Sequence, residues 1–344
     1  MKELLAEWVP LDGILLALPH KDTDWNYILD EALQQYKRLV EALVKEHIHV
    51  VLLCREKEEA SKIFNPDFLN NITFVEIEYN DTWTRDYGPI VILKHGELRC
   101  IDFGFNGWGL KFAADKDNQV NRRLNEKYFF SKGIYRNETD FILEGGSIDT
   151  DGEGTVLTTT RCLCSPNRNG YLNKKEADTQ LRKRLGAQHV LFLDYGALMG
   201  DDTDSHIDTL ARMAPDNIIL YTGCRDLDDP QFEELLKMRA QLSMFRNAEG
   251  NPYNLVELPL PSPIFDEQGE RLPATYANYL VTDNVIFMPT YNQPAKDELA
   301  KQTVRIAFPN HKVVGVDCTT LIKQHGSLHC ATMQLPKGVL SWLS

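Results

Sequence analysis

Glu144-Gly145-Gly146-Ser147-Ile148-Asp149-Thr150 runs into Asp151-Gly152-Glu153-Gly154 and leaves it as Thr155-Val156-Leu157-Thr158-Thr159. A β-rich run on each side of an Asp/Gly turn predicts a β-hairpin, over 144–150 and 155–163, because those turn residues tolerate tight or left-handed backbone. A helical pattern follows over 174–185, and a short apolar strand over 189–194. The order is therefore hairpin, helix, strand.

That order recurs. Residues 84–93 and 98–103 flank the turn Lys94-His95-Gly96-Glu97, residues 206–213 and 218–222 flank Pro215-Asp216-Asn217, and residues 276–281 and 285–290 flank Thr282-Asp283-Asn284. Helical stretches follow at 118–130, 229–245 and 295–307, and single strands follow the last two at 255–258 and 312–316. Units recur at a spacing of roughly 60 to 70 residues, and a fixed period is the mark of a repeat architecture. A fifth unit is split between the ends. Residues 326–334 supply one strand, residues 13–18 its partner, and the long helix over 24–46 with the strand 49–53 completes it. Pairing the two ends removes an exposed sheet edge. The expectation is an α/β fold: one domain over 1–344, a five-bladed propeller-like ring with pseudo-fivefold repeats closed by the terminal strands. A doubly wound open sheet is the alternative, but it leaves the hairpins unexplained.

The chain has 344 residues, 43% hydrophobic and 25% charged, with a net charge of -13. Nucleic-acid binding calls for a basic surface, so that class is excluded, whereas an acidic balance suits a small cation as well as plain solubility. No apolar run is long enough for a membrane span, and the first residues carry acids rather than a leader's apolar core. A cytoplasmic protein with reduced thiols is expected, in which the odd count of seven cysteines is unremarkable. Cys162 and Cys164 lack a second pair to complete a zinc site, and read as two positions on one face of a buried strand. No metal and no cofactor is expected.

In a ring of repeats, the first strand of each hairpin faces a common axis. Those strands contain Arg85 and Asp86, Glu144, His206 and Asp208, Asn278, and Cys330. Each has a plain reading when taken alone. Asp86 pairs with its arginine neighbour, Glu144 precedes a Gly-Gly turn, His206 is a satisfied strand histidine, and Cys330 is a small hydrophobe. Taken together at matched positions they are the parts of a thiolate enzyme: a lone cysteine, a distant histidine and carboxylates. His206 and Asp208, two apart on an expected strand, would face one way.

Four blocks carry a resemblance. Trp83-Thr84-Arg85-Asp86-Tyr87-Gly88-Pro89, Glu144-Gly145-Gly146-Ser147, Asp201-Asp202-Thr203-Asp204-Ser205-His206-Ile207-Asp208 and Gly326-Ser327-Leu328-His329-Cys330 resemble the signature blocks of the agmatine deiminase family. That family also holds the bacterial peptidylarginine deiminases. The blocks run in family order over nearly the whole chain. The sequence departs from the family in three places. Many members have Gly-Gly-Gly-x-Ile-His-Cys where this chain has His325 to Cys330, some have Glu for Asp202, and many have Gly for Ser205.

The resemblance implies the pentein fold and cofactor-free hydrolysis of a guanidine, a C–N bond of a linear amidine. A guanidinium is planar, permanently charged and a poor electrophile, so it needs carboxylates to neutralise it and a strong nucleophile to attack it. On this basis Asp86 and Asp208 clamp the guanidinium, Cys330 attacks its carbon, His206 moves protons, and Glu144 orients His206. Trp83 packs on the substrate, Asn278 supplies a secondary polar contact, and Asp202 belongs to an acidic rim for the far end. No arginine in the motifs is assigned to a substrate carboxylate, although Arg225 and Arg246 remain unplaced. Asp102, outside the motifs, is expected to tolerate amidation. The expected function is agmatine deimination to N-carbamoylputrescine and ammonia, a step towards putrescine. Arginine or peptidylarginine deimination is the nearest alternative, and a catalytically dead binding protein of the same shape, from a different class, is a second. The expected partner is a small cationic guanidine, with no nucleic acid and no membrane; a homo-oligomer is compatible.

Overall fold

A computed structural model describes residues 2–342. In chain order the strands are β1 (Lys2–Leu4), β2 (Leu11–Ala17), β3 (Val50–Cys54), β4 (Ile72–Glu76), β5 (Ile90–Lys94), β6 (Glu97–Gly104) and β7 (Tyr135–Ile142). They continue with β8 (Ile148–Thr150), β9 (Thr155–Thr159), β10 (His189–Leu193), β11 (Ala211–Ala214), β12 (Ile218–Gly223) and β13 (Asn254–Pro259). The last are β14 (Leu280–Val281), β15 (Val285–Thr290), β16 (Lys312–Asp317) and β17 (Met333–Pro336).

These strands form five separate sheets among the described residues, and none closes on itself: β1-β5-β6-β7, β10-β9-β8, β11-β12-β13, β14-β15-β16 and β17-β2-β3-β4. Each sheet has the same core. Two antiparallel strands are joined locally, or in the last sheet drawn from the two ends, and a third strand adds parallel after a helix. Thus β8 pairs antiparallel with β9, placing Ile148 opposite Thr158, and β9 pairs parallel with β10, placing Val156 opposite Val190. A parallel strand requires a crossover, and the helices Lys174–Leu185, Phe232–Met244 and Pro294–Ala307 supply it. The expected pairing of the two ends is present, with Met333 opposite Leu15.

Helix Leu29–Lys45 shows why these segments fold. Ala32, Tyr36, Leu39, Val40 and Leu43 recur at helical spacing and are buried as one face, and the helix packs on β16 and the fully buried β3. Each such leucine or tyrosine contributes roughly 1.5–3 kcal/mol of burial. A second, smaller core lies around β10 to β12, with Leu157, Leu191, Met213, Ile219 and Met238. No helix of the described residues is long and apolar enough to cross a membrane.

The expected first strands begin too early in every unit. Thr84–Tyr87 is one helical turn, Gly145–Ser147 and Ile207–Thr209 are 3-10 turns, and only Leu280–Val281 and Met333–Pro336 are strand in the last two units. His206 and Asp208 therefore share a turn, not a strand face. Cys162 lies in the helical turn Thr160–Leu163, not on a strand, and Cys164 caps it. The alternating pattern of a short strand and the spacing of a single turn are indistinguishable over three or four residues. Two strands escaped the sequence reading: β7, which gives the first unit its parallel strand, and the edge strand β1.

Candidate active site

The functional side chains sit in the turns just before the first strand of each sheet. Asp86 precedes β5, Glu144 precedes β8, His206 and Asp208 precede β11, Asn278 precedes β14, and Cys330 precedes β17. A turn frees the backbone N–H groups that a strand would spend on its ladder, so carboxylates can be held by main chain.

Thr84 ties the first turn down, its hydroxyl donating to the carbonyls of Leu15 (2.9 Å) and Ala331 (3.1 Å). The Arg85 N–H donates to the Cys330 carbonyl at 3.2 Å. Asp86 then accepts from the Gly146 N–H at 2.9 Å on Oδ1 and from the Trp108 indole N–H at 2.8 Å on Oδ2. Gly146 is glycine for a visible reason. A Cβ there would stand 2.7 Å from His206 Nδ1, 2.8 Å from Asp86 Oδ1 and 3.0 Å from Asp208 Oδ2. The backbone of Gly146 thus passes through the space between the three groups.

His206 is fully buried, with Nε2 3.2 Å from Glu144 Oε2 and Nδ1 3.6 Å from Asp86 Oδ1. Glu144 is itself fixed by Arg168, whose Nε donates to both oxygens at 2.8 and 2.9 Å, and by the Cys162 thiol at 3.4 Å. Arg168 also binds Asp204 at 2.6 Å. Asp204 and Ser205 both take positive φ, 66° each, a conformation that costs a non-glycine residue of order 1–3 kcal/mol. Asp201 accepting from the Ser205 N–H at 2.7 Å holds it. The same geometry explains why glycine suits the place of Ser205.

Asp208 Oδ2 accepts from His329 Nδ1 at 2.8 Å and lies 3.6 Å from Cys330 Sγ. Asn278 lies beside the nucleophile: its Oδ1 accepts from the His329 N–H (2.9 Å) and the Cys330 N–H (3.3 Å), and its Nδ2 is 3.3 Å from Cys330 Sγ. These bonds hold the cysteine turn in place. Two buried polar atoms are left without partners here, His206 Nδ1 and Asp208 Oδ1.

Above them lies a small pocket, lined by Cys330, Asp86, Trp83, Trp108 and Phe112, and by Asp24, Asp81, Asp202 and His325. Gly326 lies flat on Trp83; a Cβ there would come within 2.4 Å of the indole. Trp83 and Asp202 both line this pocket, while Arg225 and Arg246 are absent from the lining.

The charge pattern follows from burial against neighbours. Burial and then the charges of Asp208 and Asp86 lift the Cys330 thiol well above its usual range. Burial lowers His206, but the Asp86 carboxylate and the groups around Glu144 outweigh it and raise it well above the ordinary imidazole. Burial raises Asp86, more than the His206 charge lowers it. Burial also acts on Asp208 and Glu144, but hydrogen bonds and charges from His329 and from His206 with Arg168 leave both lowered. At the outer end burial lifts Asp81 to about 7 and Asp202 to about 6.

Glu144, Cys162 and His206 place ligand-type atoms within 4.8 Å of one another. A divalent ion there would face the buried Arg168 guanidinium on the same carboxylate, so the trio fits a hydrogen-bonded network better than a metal centre. Arg168, Cys162 and Trp108 escaped the sequence reading; none stands in a block whose spacing marks chemistry.

A sequence model of the family described as Porphyromonas-type peptidyl-arginine deiminase matches residues 3–336. A Shewanella sp. (strain MR-4) protein named "Putative agmatine deiminase" is 33% identical, over 97% of this chain and 94% of its own length. The crystal structure of the "Putative Arginine Deiminase from Porphyromonas gingivalis" is 41% identical with a TM-score of 0.94, covering 99% of this chain and 100% of that one. C. Jejuni agmatine deiminase with substrate bound is 39% identical with a TM-score of 0.90, covering 98% and 97%. With a family model matching nearly the whole chain and relatives alike in sequence and fold, the chain belongs to the Porphyromonas-type peptidyl-arginine deiminase family, whose relatives here include agmatine deiminases of the pentein superfamily.

Proposed function

We propose that this protein is an agmatine deiminase, hydrolysing agmatine to N-carbamoylputrescine and ammonia. One observation carries the reading: the buried Cys330 thiol and the Asp86 carboxylate line a pocket with three further acidic residues, and Asp208, His206 and Glu144 are in contact with them or with one another. A guanidinium entering it meets Asp86 and the unpaired Asp208 Oδ1 with its N–H groups. Its charge offsets the two carboxylates that suppress ionisation of Cys330, so the thiolate forms as substrate seats. The thiolate attacks the guanidinium carbon. His206, whose free Nδ1 faces the site while Nε2 is held by Glu144, gives a proton to one nitrogen, and ammonia leaves. The C–S bond now links Cys330 to an amidino group. A water, losing a proton to His206, attacks the same carbon; the C–S bond breaks, the thiolate leaves and the ureido product remains.

The far end of the substrate selects among guanidines. Asp24, Asp81 and Asp202 offer an ammonium end three carboxyl groups, and no arginine lines the pocket to receive a carboxylate. Deimination of arginine or peptidyl-arginine is the second reading, favoured by the name of the Porphyromonas gingivalis relative.

The same proposal takes the five sheets as blades of a single-domain α/β propeller arranged about the axis on which these turns meet. All seven cysteines are free thiols, which supports a reducing, cytoplasmic setting. Product assays on agmatine, arginine and carboxy-terminal arginyl peptides test the assignment. A preference for agmatine of at least about a hundredfold in kcat/KM is expected. Equal rates on arginine, or faster citrulline formation from peptides, would move it to the arginine-deiminating branch.

A further inference from the structure

The segment following β1 reaches the underside of the site. Glu7 is half-buried and its carboxylate meets four side chains from three sheets. Oε1 lies 2.7 Å from His329 Nε2 and 3.4 Å from Arg85 Nη1. Oε2 accepts from Gln334 at 3.0 Å and from Arg212, which also binds Asp149 at 2.8 Å. This segment lines a second cavity that shares no residue with the substrate pocket.

His329 is 1% exposed and lies between two carboxylates, Glu7 on Nε2 and Asp208 on Nδ1, at 2.7 and 2.8 Å. A neutral imidazole has one N–H to give, and a carboxylate has none. Both contacts are hydrogen bonds only if the ring carries two protons. A chain of contacts therefore runs from Glu7 through His329 to Asp208 Oδ2, which stands 3.6 Å from Cys330 Sγ. It leaves Asp208 Oδ1 as the free oxygen.

We propose that Glu7 and His329 are positioning residues for the reaction: Glu7 holds His329 as an imidazolium, and that ring fixes the Asp208 carboxylate beside Cys330. The inference rests on the deiminase reading above. Packing alone would make Glu7 matter equally at every pH. A relay makes its loss depend on pH. The charged groups facing Glu7 are Arg85 and Arg212, with Asp149 behind them; those facing Asp208 besides His329 are His206, Arg212, Arg85, Asp86 and Cys330. None of these is altered in Glu7→Gln. That variant keeps an acceptor for Nε2 but removes the negative charge that faces the ring's second N–H. His329→Gln removes the charge that keeps Asp208 ionised, so the acidic limb moves upward.

The test is kcat/KM against pH for native protein, Glu7→Gln, Glu7→Asp and His329→Gln, with thermal melting to verify folding and 15N spectra of the histidine rings. For Glu7→Gln a defect of about tenfold or more at alkaline pH, shrinking as pH falls, is expected. Glu7→Asp recovers part of it. Native His329, assigned by its loss in His329→Gln, shows two ring N–H signals at neutral pH. A native pH profile in folded Glu7→Gln overturns the relay. So does a single ring N–H on native His329, a measurement that needs no variant to be active. Absence of turnover of every guanidine by the native protein defeats the deiminase reading instead.

Discussion

Trp108 gives its indole N–H to Asp86 at 2.8 Å from within a run of four left-handed residues, Gly107 to Leu110. Trp108 and Leu110, at φ 54° and 68°, hold a conformation that costs of order 1–3 kcal/mol each. Edge contacts with Phe105 and Phe112 seat the ring. The strained loop thus delivers one hydrogen bond to the carboxylate proposed to meet substrate. Trp108→Phe keeps the ring packing and loses the donor. A charged hydrogen bond of about 1.5–3 kcal/mol corresponds to a loss of about ten- to a hundredfold in kcat/KM, with the melting temperature little changed. Activity within twofold of native would mean the contact is only packing.

Cys330 is expected to be a poor thiolate until a cation arrives, since burial and two carboxylates raise its thiol. Neutral iodoacetamide should label it slowly at pH 7 and faster only above the usual thiol range. A haloacetamidine of similar size, being cationic, should label it faster, and agmatine should protect it. Cys330→Ser should lose nearly all turnover, and full activity in Cys330→Ala would refute the assignment.

Asp86→Asn and Asp208→Asn preserve shape and remove charge. Leaving one member of a buried charge pair unmatched costs roughly 3–5 kcal/mol, so each should lower kcat/KM by orders of magnitude. Asp102 is no control for them. It is buried, accepting from Tyr135 at 2.6 Å and Asn121 at 3.0 Å, so its amidation should lower the melting temperature, against the mild effect that its place outside the motifs led one to expect. The exposed Glu267 serves instead.

The pocket's outer end gives a pH signature. Burial sets Asp202 at about 6, with His325 pulling the other way. Below that pH its carboxyl is neutral and the ammonium end of agmatine loses a partner. KM for agmatine should therefore rise as pH falls through about 6, more than KM for an alkylguanidine of equal length without the amine. Asp202→Asn should remove the difference. Identical pH dependence for both substrates in the native protein would remove Asp202 from substrate binding.

The repeat was legible in the sequence because Asp/Gly turns and apolar periodicity are local signals, and each turn predicted between hairpin strands is found. Strand starts were not, since the functional residues sit in single turns that mimic alternation for three or four positions. The blocks named Cys330, His206, Glu144, Asp86 and Asp208, and the fold sets these side chains near one another. Their supports were hidden for a different reason. Arg168, Trp108 and Glu7 reach the site from segments 22 to 322 residues away in sequence, and no spacing rule links such distances. Asn278 was found by position in the repeat, but its bonds to the His329–Cys330 turn were not legible there, because equivalence of place does not say which side of the turn a side chain takes.

The pairing of Met333 with Leu15 has a kinetic reading. Three of the sheets join only strands consecutive in the chain, and a fourth adds the short edge strand β1 to β5; the sheet before which Cys330 lies joins β17 to β2 across most of the chain. The entropy of closing so long a loop grows only slowly with its length, yet it must be met before any contact of that sheet can offset it. In refolding, ellipticity should therefore return ahead of catalysis, with the nucleophile's seat the last part of the molecule to form. A circular permutant that joins the present ends and opens an exposed turn such as Asp226 to Asp228 would make that pairing local and bring the two recoveries together.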